Sequence, residues 1–349
     1  MKMDAHRLAR RLRTGLRGWG GVGAMAAVCA LALAFALLLP HTQSSGAPVG
    51  GAGRLAHGTQ ARAETKCDNG AAPQDQSLSP SGGGATPVVD RIKAREDRRL
   101  IVGVDTNSYR WGYLNPNNAS GALEGFDIDL VHRIAKDLLG DPNAVSFKAI
   151  PTNQRIPAIQ NDQVDMVVRT MTITCDRLGD VAFSAPYFRT GQQVLAPKKS
   201  TITGYNDTLA GKKVCSAEGS TALDNLKADK GGKIPASTDI RTVVPNQLDC
   251  LVKLQLGEVD AVVTDGALAA SQAAQDPTVE LKGGLFTDEY YGVAMKRGSD
   301  DLVRQVNRTL ENYVKDGGWA DSYQKWLHPT MDQDDKKSAS ATPPAAHYK

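Results

Sequence analysis

From about residue 99 to 328 the sequence alternates short apolar runs with amphipathic stretches, and this alternation limits the choice of fold more than any other feature. "RLIVGV" predicts a strand, and "GFDIDLVHRIAKDLLG" (Gly125 to Gly140) has the apolar spacing of a helix and stops on glycine. "VSFKAI", "QRIPAIQN" and "VDMVVRT" predict strand, short helix and strand. After Gly191 the pattern restarts: strand "KKVCS", a helix opening at "EGSTALDNLKAD", strand "IRTVV", helix "QLDCLVKLQLG", strand "DAVVTD", helix "GALAASQAAQ". "YYGVAMK" predicts one further strand, and "DDLVRQVNRTLENYVKDG" and "GWADSYQKWL" close the fold as helices. Such spacing predicts an α/β fold with mainly parallel sheets, and two runs of it predict two lobes. Ligands of open α/β sheets bind beyond the carboxyl ends of the strands. Thr170, Thr172, Ser216 and Asp265 fall at or just past such ends.

The formal net charge of +3 is unevenly placed: Lys2, Arg7, Arg10, Arg11, Arg13 and Arg17 against Asp4 put most of the basic excess in residues 1–19. The remaining chain is slightly acidic, which argues against a nucleic-acid partner. The uncharged segment at 20–40, "GGVGAMAAVCALALAFALLLP", has the length of a membrane span, and the basic flank before it predicts that the rest of the chain faces outward. Cys29 lies in the middle of this run behind Ala26-Ala27-Val28, a poor lipid-attachment context, so an uncleaved anchor is expected over a cleaved signal. Residues 41–90, rich in Gly, Ser, Pro and Ala, read as a flexible tether, and 329–349 as a disordered tail. Between them, 91–186 with 293–328 are expected to form one lobe and 192–287 the other.

Cys67, Cys175, Cys215 and Cys250 lie beyond the apolar segment, where an oxidising compartment favours disulfides; four cysteines allow three pairings. No Cys-x-x-Cys or Cys/His cluster marks a metal site, and no cofactor is implied. Gly-x-Ser-x-Gly, a Walker loop and His-Glu-x-x-His are all missing, so an enzyme is not expected.

What the sequence does hold is a set of groups suited to a free amino acid. Arg177, just past a strand end in "TMTITCDR", can grip a carboxylate through two parallel charged hydrogen bonds. Gly219-Ser220-Thr221 open a helix whose free N–H groups add to an anion site. Asp265 can hold an ammonium group, and Thr170 and Thr172 can bridge both charges.

These segments resemble the family 3 extracellular solute-binding proteins, the polar amino-acid receptors of ABC importers. "GFDIDLVHRIAKDL" resembles the family signature, and "RIPAIQNDQVDMV", "TMTITCDR", "FSAPYF", "EGST", "VDAVVTD", "YYGVAM" and "GGWADSYQKWL" follow in family order over about 98–328. "FTDEYYGVAM" and the pair Cys215 and Cys250 look like the actinobacterial glutamate-binding subgroup. The resemblance implies a two-lobed type II periplasmic-binding-protein-like clamshell with crossover strands at "YFRTG" and "EYYG". It implies Arg177 as the α-carboxylate arginine, Thr172 and Thr170 beside it, Gly219-Ser220-Thr221 opposite, and Asp265 as ammonium partner. Cys175 stands where relatives carry an ordinary polar residue, and we expect it to pin the tether through Cys67, with Cys215 joined to Cys250.

An acidic ligand would need a second cation. Arg155, with Thr152 nearby, matches the glutamate and aspartate receptors; Arg110 and Arg169 are further candidates, and Asp105 either faces the ligand side chain or pairs with Arg110. Glutamate or aspartate is therefore expected first, glutamine or asparagine second. The implied partner is an ABC permease, with the receptor acting as a membrane-attached extracytoplasmic monomer. A sensor working through a membrane partner is the alternative, and an enzyme using Glu218 as acid–base is a third.

Overall fold

A computed structural model describes residues 66–81, 85–119, 121–331 and 339–349. The basic segment, the apolar segment and the tether up to residue 65 lie outside these residues.

The first lobe is built on the five-stranded sheet β5-β1-β6-β15-β7. Its strands are β1 (Leu100–Val104), β5 (Val145–Ala149), β6 (Met166–Val167), β7 (Val181–Phe183) and β15 (Ala294–Lys296). A small meander, β2 (Asn107–Ser108), β3 (Gly112–Leu114) and β4 (Leu123–Glu124), follows β1. Strand alternation splits the core into two layers. Met166 and Met295 share one layer with Ile128 and Ile134 of α2 (Phe126–Leu139) and Val306 of α8 (Asp300–Lys315). Their neighbours Val167 and Ala294 share the other with Ile159 of α3 (Arg155–Gln160). Helix α2 stops where the sequence predicts, at Gly140, whose φ of 83° is a left-handed cap that glycine accepts without a Cβ penalty. Helix α1 (Pro87–Lys93) receives its N-terminal cap from α8: Asp301 accepts the N–H groups of Val88 and Val89, both at 2.9 Å.

The second lobe repeats this plan on the sheet β11-β10-β12-β9-β13. Its strands are β9 (Gln192–Pro197), β10 (Lys213–Ala217), β11 (Asp239–Val244), β12 (Ala261–Asp265) and β13 (Val279–Lys282). Helices α5 (Thr221–Asp229), α6 (Gln247–Gln255) and α7 (Gly266–Ala273) follow β10, β11 and β12. Cys215 of β10 and Cys250 of α6 form a disulfide that ties sheet to helix.

Both sheets are more mixed than the sequence suggests. β10 runs parallel to β11 and β12, whereas β9 runs antiparallel to both β12 and β13; β15 is antiparallel to β6 and β7. The run "YYGVAMK" is not one strand. It divides at Gly292-Val293 into β14 (Glu289–Tyr291) and β15, because the chain leaves the inter-lobe region and enters the first sheet there. β14 pairs antiparallel with β8 (Phe188–Thr190) to form the two-stranded link between the lobes. Phe188 and Tyr291 of this link pack edge-on against Trp111, at centroid separations of 4.9 and 5.8 Å. Trp319 of α9 (Gly318–Trp326) stacks on Phe188 at 6.4 Å and donates its indole N–H to the Tyr187 carbonyl at 2.8 Å. The link is therefore anchored in the first lobe by an aromatic cluster.

Two segments expected to be loose are packed instead. Cys67 is bonded to Cys175, the first residue of α4 (Cys175–Asp180), which is the pairing expected from the sequence. Ser77 donates to the Phe183 carbonyl at 2.9 Å and accepts from the Asn307 amide at 2.8 Å. At the other end, beyond the short helix α10 (His328–Met331), Ala339 pairs with Thr190 and the Ser340 N–H reaches the Arg189 carbonyl at 3.1 Å, extending the β8–β14 link by one bridge. Tyr348 donates to Glu311 at 2.9 Å and the Lys349 N–H to Ser77 at 3.0 Å. Backbone pairing needs no apolar side chains, so composition did not reveal it.

Candidate functional site

Arg177 sits in the first turn of α4, whose start is fixed by Thr174: its hydroxyl accepts the Arg177 N–H at 3.2 Å. The guanidinium is buried, and donates to the Thr172 carbonyl at 2.7 Å and, across the cleft, to the Gly219 carbonyl at 3.0 Å. Arg155, at the start of α3, is buried beside it. It donates to the Thr152 carbonyl at 2.9 Å, to Arg169 and Thr170 carbonyls at 3.3 and 3.5 Å, and to the same Gly219 carbonyl at 3.1 Å. Two guanidiniums thus converge on one carbonyl of the opposing lobe, and neither has a carboxylate partner within ion-pair distance among the described residues. Burial and mutual repulsion lower the Arg155 pKa, and burial lowers that of Arg177 against the pull of Glu289 and Asp224.

Thr170 has φ of 42°, a left-handed conformation costly for a β-branched residue. Asp127, in the first turn of α2, holds it there by accepting the Thr170 N–H at 3.1 Å, and also accepts the Tyr187 hydroxyl at 2.9 Å. Burial lifts the Asp127 carboxyl to about 7, against the two hydrogen bonds.

The second lobe contributes the opposite wall. Ser220 caps α5 by accepting the Leu223 N–H at 3.2 Å. Gly219, at φ of 72°, leaves room for Asn153: a Cβ there would lie 2.9 Å from the Asn153 Cα. Thr221 donates to Glu289 at 3.1 Å, and Thr172 of the first lobe donates to the same carboxylate at 2.5 Å. The Gln192 amide binds its other oxygen at 2.5 Å. Asp265, at the end of β12, accepts the Tyr291 hydroxyl. Burial and the Glu289 charge push Asp265 up to about 8; burial likewise raises Glu289, opposed by its hydroxyl and amide donors and by Arg177.

The structure thus gathers Arg155, Arg177, Thr170, Thr172, Gly219, Ser220, Thr221 and Asp265 about one cleft, with Thr152 bound to Gln247 at 3.2 Å at its edge. It does not bring Arg110 there: that side chain donates to the Trp326 carbonyl at 3.0 Å and lies against Tyr109. Asp105 pairs not with Arg110 but with the fully buried Arg169, at 2.8 Å, while its oxygens also accept from Thr106, Asn107 and Ser108. Arg169 further binds Thr152 and Asn246 at 2.9 and 3.0 Å, so this pair is spent on structure. Glu218, the acid–base candidate, is exposed at the cleft mouth and accepts the Asn153 amide at 2.6 Å. Glu289 was not singled out in the sequence. Its signal was its place in a period-two strand, sharing a face with buried Tyr291.

The family model of the bacterial extracellular solute-binding proteins, family 3, matches residues 100–329. The chain belongs to that family. Among its relatives is the ABC transporter glutamine-binding protein GlnH of Bacillus subtilis, 36% identical over 239 residues that cover 68% of this chain and 85% of the relative. The glutamate-binding protein GluB of Corynebacterium efficiens is 28% identical, covering 72% of this chain and 85% of its own. The crystal structure of the L-cysteine solute receptor of Neisseria gonorrhoeae superposes with a TM-score of 0.65 at 26% identity, over 75% of this chain and 100% of that one. A family 3 solute-binding protein is an extracytoplasmic receptor of the two-lobed clamshell type, and this chain is accordingly an amino-acid-binding protein of an ABC transporter.

Proposed function

We propose that the receptor takes a polar amino acid, glutamine ahead of glutamate or aspartate, and delivers it to a membrane permease by closing its lobes. One observation carries this reading: buried ionisable groups of both signs line the cleft without an ion pair between them among the described residues. There, Arg155 and Arg177 rest on backbone carbonyls alone, whereas Asp265 and Glu289 accept from neutral donors alone. Separated buried charges are costly unless something pairs them. A zwitterion fits that need, with its carboxylate on Arg177 near the start of α5 and its ammonium on Asp265 and Glu289. Closure follows because the Arg177 half lies in the first lobe and the Asp265 half in the second, so only the closed form satisfies both. The receptor would act as a monomer, attached to the membrane by residues 20–40.

Glutamine ranks first because Asp265, once ionised by the ligand ammonium, and Glu289 balance the two arginines, and because the 36% identical relative is named for glutamine. Glutamate or aspartate is the second reading, favoured by the burial of Arg155 beside Arg177 and by the likeness to GluB. Titration calorimetry of the full-length protein with glutamine, glutamate, aspartate, asparagine and arginine tests this. Arg177→Ala should abolish every response, since two charged hydrogen bonds at about 1.5–3 kcal/mol each amount to a loss of more than 100-fold. Unchanged binding in that variant would overturn the assignment of the carboxylate site.

A further inference from the structure

Glu289 is a buried carboxylate in the strand that links the lobes, and it faces the cleft from the hinge. Its oxygens are held by Thr172 from the first lobe, by Thr221 from α5, and by Gln192 from β9. Gln192 is itself fixed by the Asn225 amide at 2.9 Å, so this donor cannot turn away. The charged groups around Glu289 can be counted element by element. Arg177 from α4 and Asp265 from β12 act on it or on its partners through space, and Tyr291 on its own strand is already committed to Asp265. Among the described residues, Arg155 from α3 is the one further buried cation that adds to the cleft, because Arg169 is cancelled by Asp105. Asp127 lies behind Thr170, bonded to Tyr187. Asp224 of α5 is half-buried at the rim beside the exposed Lys227, and Asp176 is exposed; Arg189 is paired with Asp288 outside the cleft.

With the ligand ammonium seated on Asp265 and favouring its ionised form, the count closes at zero: Arg155 and Arg177 against Asp265 and Glu289. A zwitterion with a neutral side chain leaves it at zero. A second ligand carboxylate makes it negative by one charge in a site closed from water, where an uncompensated anion is expensive.

We propose that Glu289 sets the charge class of the ligand, so that the cleft accepts an amide side chain as it stands and an acidic one only together with a proton. This rests on the amino-acid reading above and adds to it the group that discriminates amide from acid. Thr172 and Thr221 come from different lobes and meet on Glu289, so the discriminating charge is held in place by the closed state itself.

The test is titration calorimetry of the full-length protein with glutamine and glutamate at about pH 6, 7 and 8, for wild type and Glu289→Gln. Release of the Asp265 proton to seat the ammonium is common to both ligands and cancels in the ratio of their Kd values, so the expected wild-type result is a ratio of glutamate to glutamine Kd that rises toward about tenfold per pH unit, the linkage of one proton taken up with glutamate. In Glu289→Gln the pH dependence of the ratio should disappear, and the ratio should move toward glutamate by about tenfold or more. A ratio independent of pH in wild type overturns the proposal, and that arm needs no variant. A folded Glu289→Gln protein with an unchanged Kd ratio overturns it as well. Failure of wild type to bind either amino acid would instead refute the amino-acid reading on which the proposal stands.

Discussion

Gly219→Ala offers a sharp probe of lobe closure. Gly219 belongs to the second lobe, yet its new Cβ would meet Asn153 of the first: the backbone Cα at 2.9 Å and N at 3.4 Å, and the Cβ at 3.3 Å. Carbon atoms pack comfortably at about 3.5–4 Å, so the lobes must separate locally by roughly half an ångström or more. The same movement stretches three contacts that cross the cleft: Arg177 to Gly219 at 3.0 Å, Arg155 to Gly219 at 3.1 Å and Asn153 to Glu218 at 2.6 Å. Overpacking of this kind costs about 1–3 kcal/mol, and that cost falls only on the closed state. The left-handed φ of 72° adds about 1 kcal/mol, but within the second lobe, so open and closed forms bear it alike. The affinity for ligand should therefore fall about 5- to 150-fold, while the melting temperature of the ligand-free protein drops only slightly. Calorimetric titration alongside thermal melting separates the two effects. Wild-type affinity in Gly219→Ala would mean that the liganded lobes do not approach this closely, and the closure argument would fail.

Other perturbations follow from the same geometry. Removing the Cys67–Cys175 bridge by Cys67→Ser with Cys175→Ser should cost about 2–5 kcal/mol, since it closes a long loop with a separation of 108 residues; an unchanged urea midpoint would argue that the bridge constrains nothing. Asp127 makes stability pH-dependent: its folded carboxyl is raised to about 7 while an unfolded one titrates near 3.9. Between those values the native state holds a proton that the unfolded chain releases, so stability should fall as pH rises, by up to about 1.4 kcal/mol per unit. Asp127→Asn should remove that share of the slope, and parallel wild-type and variant curves from urea denaturation at several pH values would refute it. Thr170→Gly should stabilise the ligand-free protein by up to about 1 kcal/mol by relieving the left-handed backbone at φ of 42°; a lower melting temperature would show that the threonine side chain contributes more than its backbone costs.

Much of this architecture could be read from local pattern. Helix α2 shows its apolar spacing and its terminal glycine, and Arg177 stands out because a cation directly after a hydroxyl-rich strand end needs a reason. Such signals depend on neighbours in sequence. The parts that escaped depend on contacts between distant residues. Glu289 meets Thr172 across 117 positions, and an acid next to Asp288 and Tyr290, both partly exposed, reads locally as a surface group. Asp105 was offered Arg110, five residues away, but the fold places Arg169 closer. β9 enters from the inter-lobe link ahead of the strand–helix repeat and runs antiparallel to both β12 and β13, a direction that no neighbouring helix reports. The segments around Ser77 and Ala339 carry the composition of linkers, and their order comes from backbone and capping contacts that no composition reports.

The bridge at Cys175 has a mechanical consequence. Cys175 begins the short helix that carries Arg177, and its sulfur is bonded to the segment through which the N-terminal part of the chain enters the domain. The shortest covalent path from that entry point to the Arg177 guanidinium therefore bypasses the whole first lobe and runs through one S–S bond and two residues. A pull on the entering chain is delivered at the base of the helix that carries Arg177, and a shift of that helix is delivered back along the same line. Cutting this path by Cys67→Ser with Cys175→Ser would leave the cleft's charges and the Cys215–Cys250 bridge untouched and remove the covalent lever between those charges and the incoming chain.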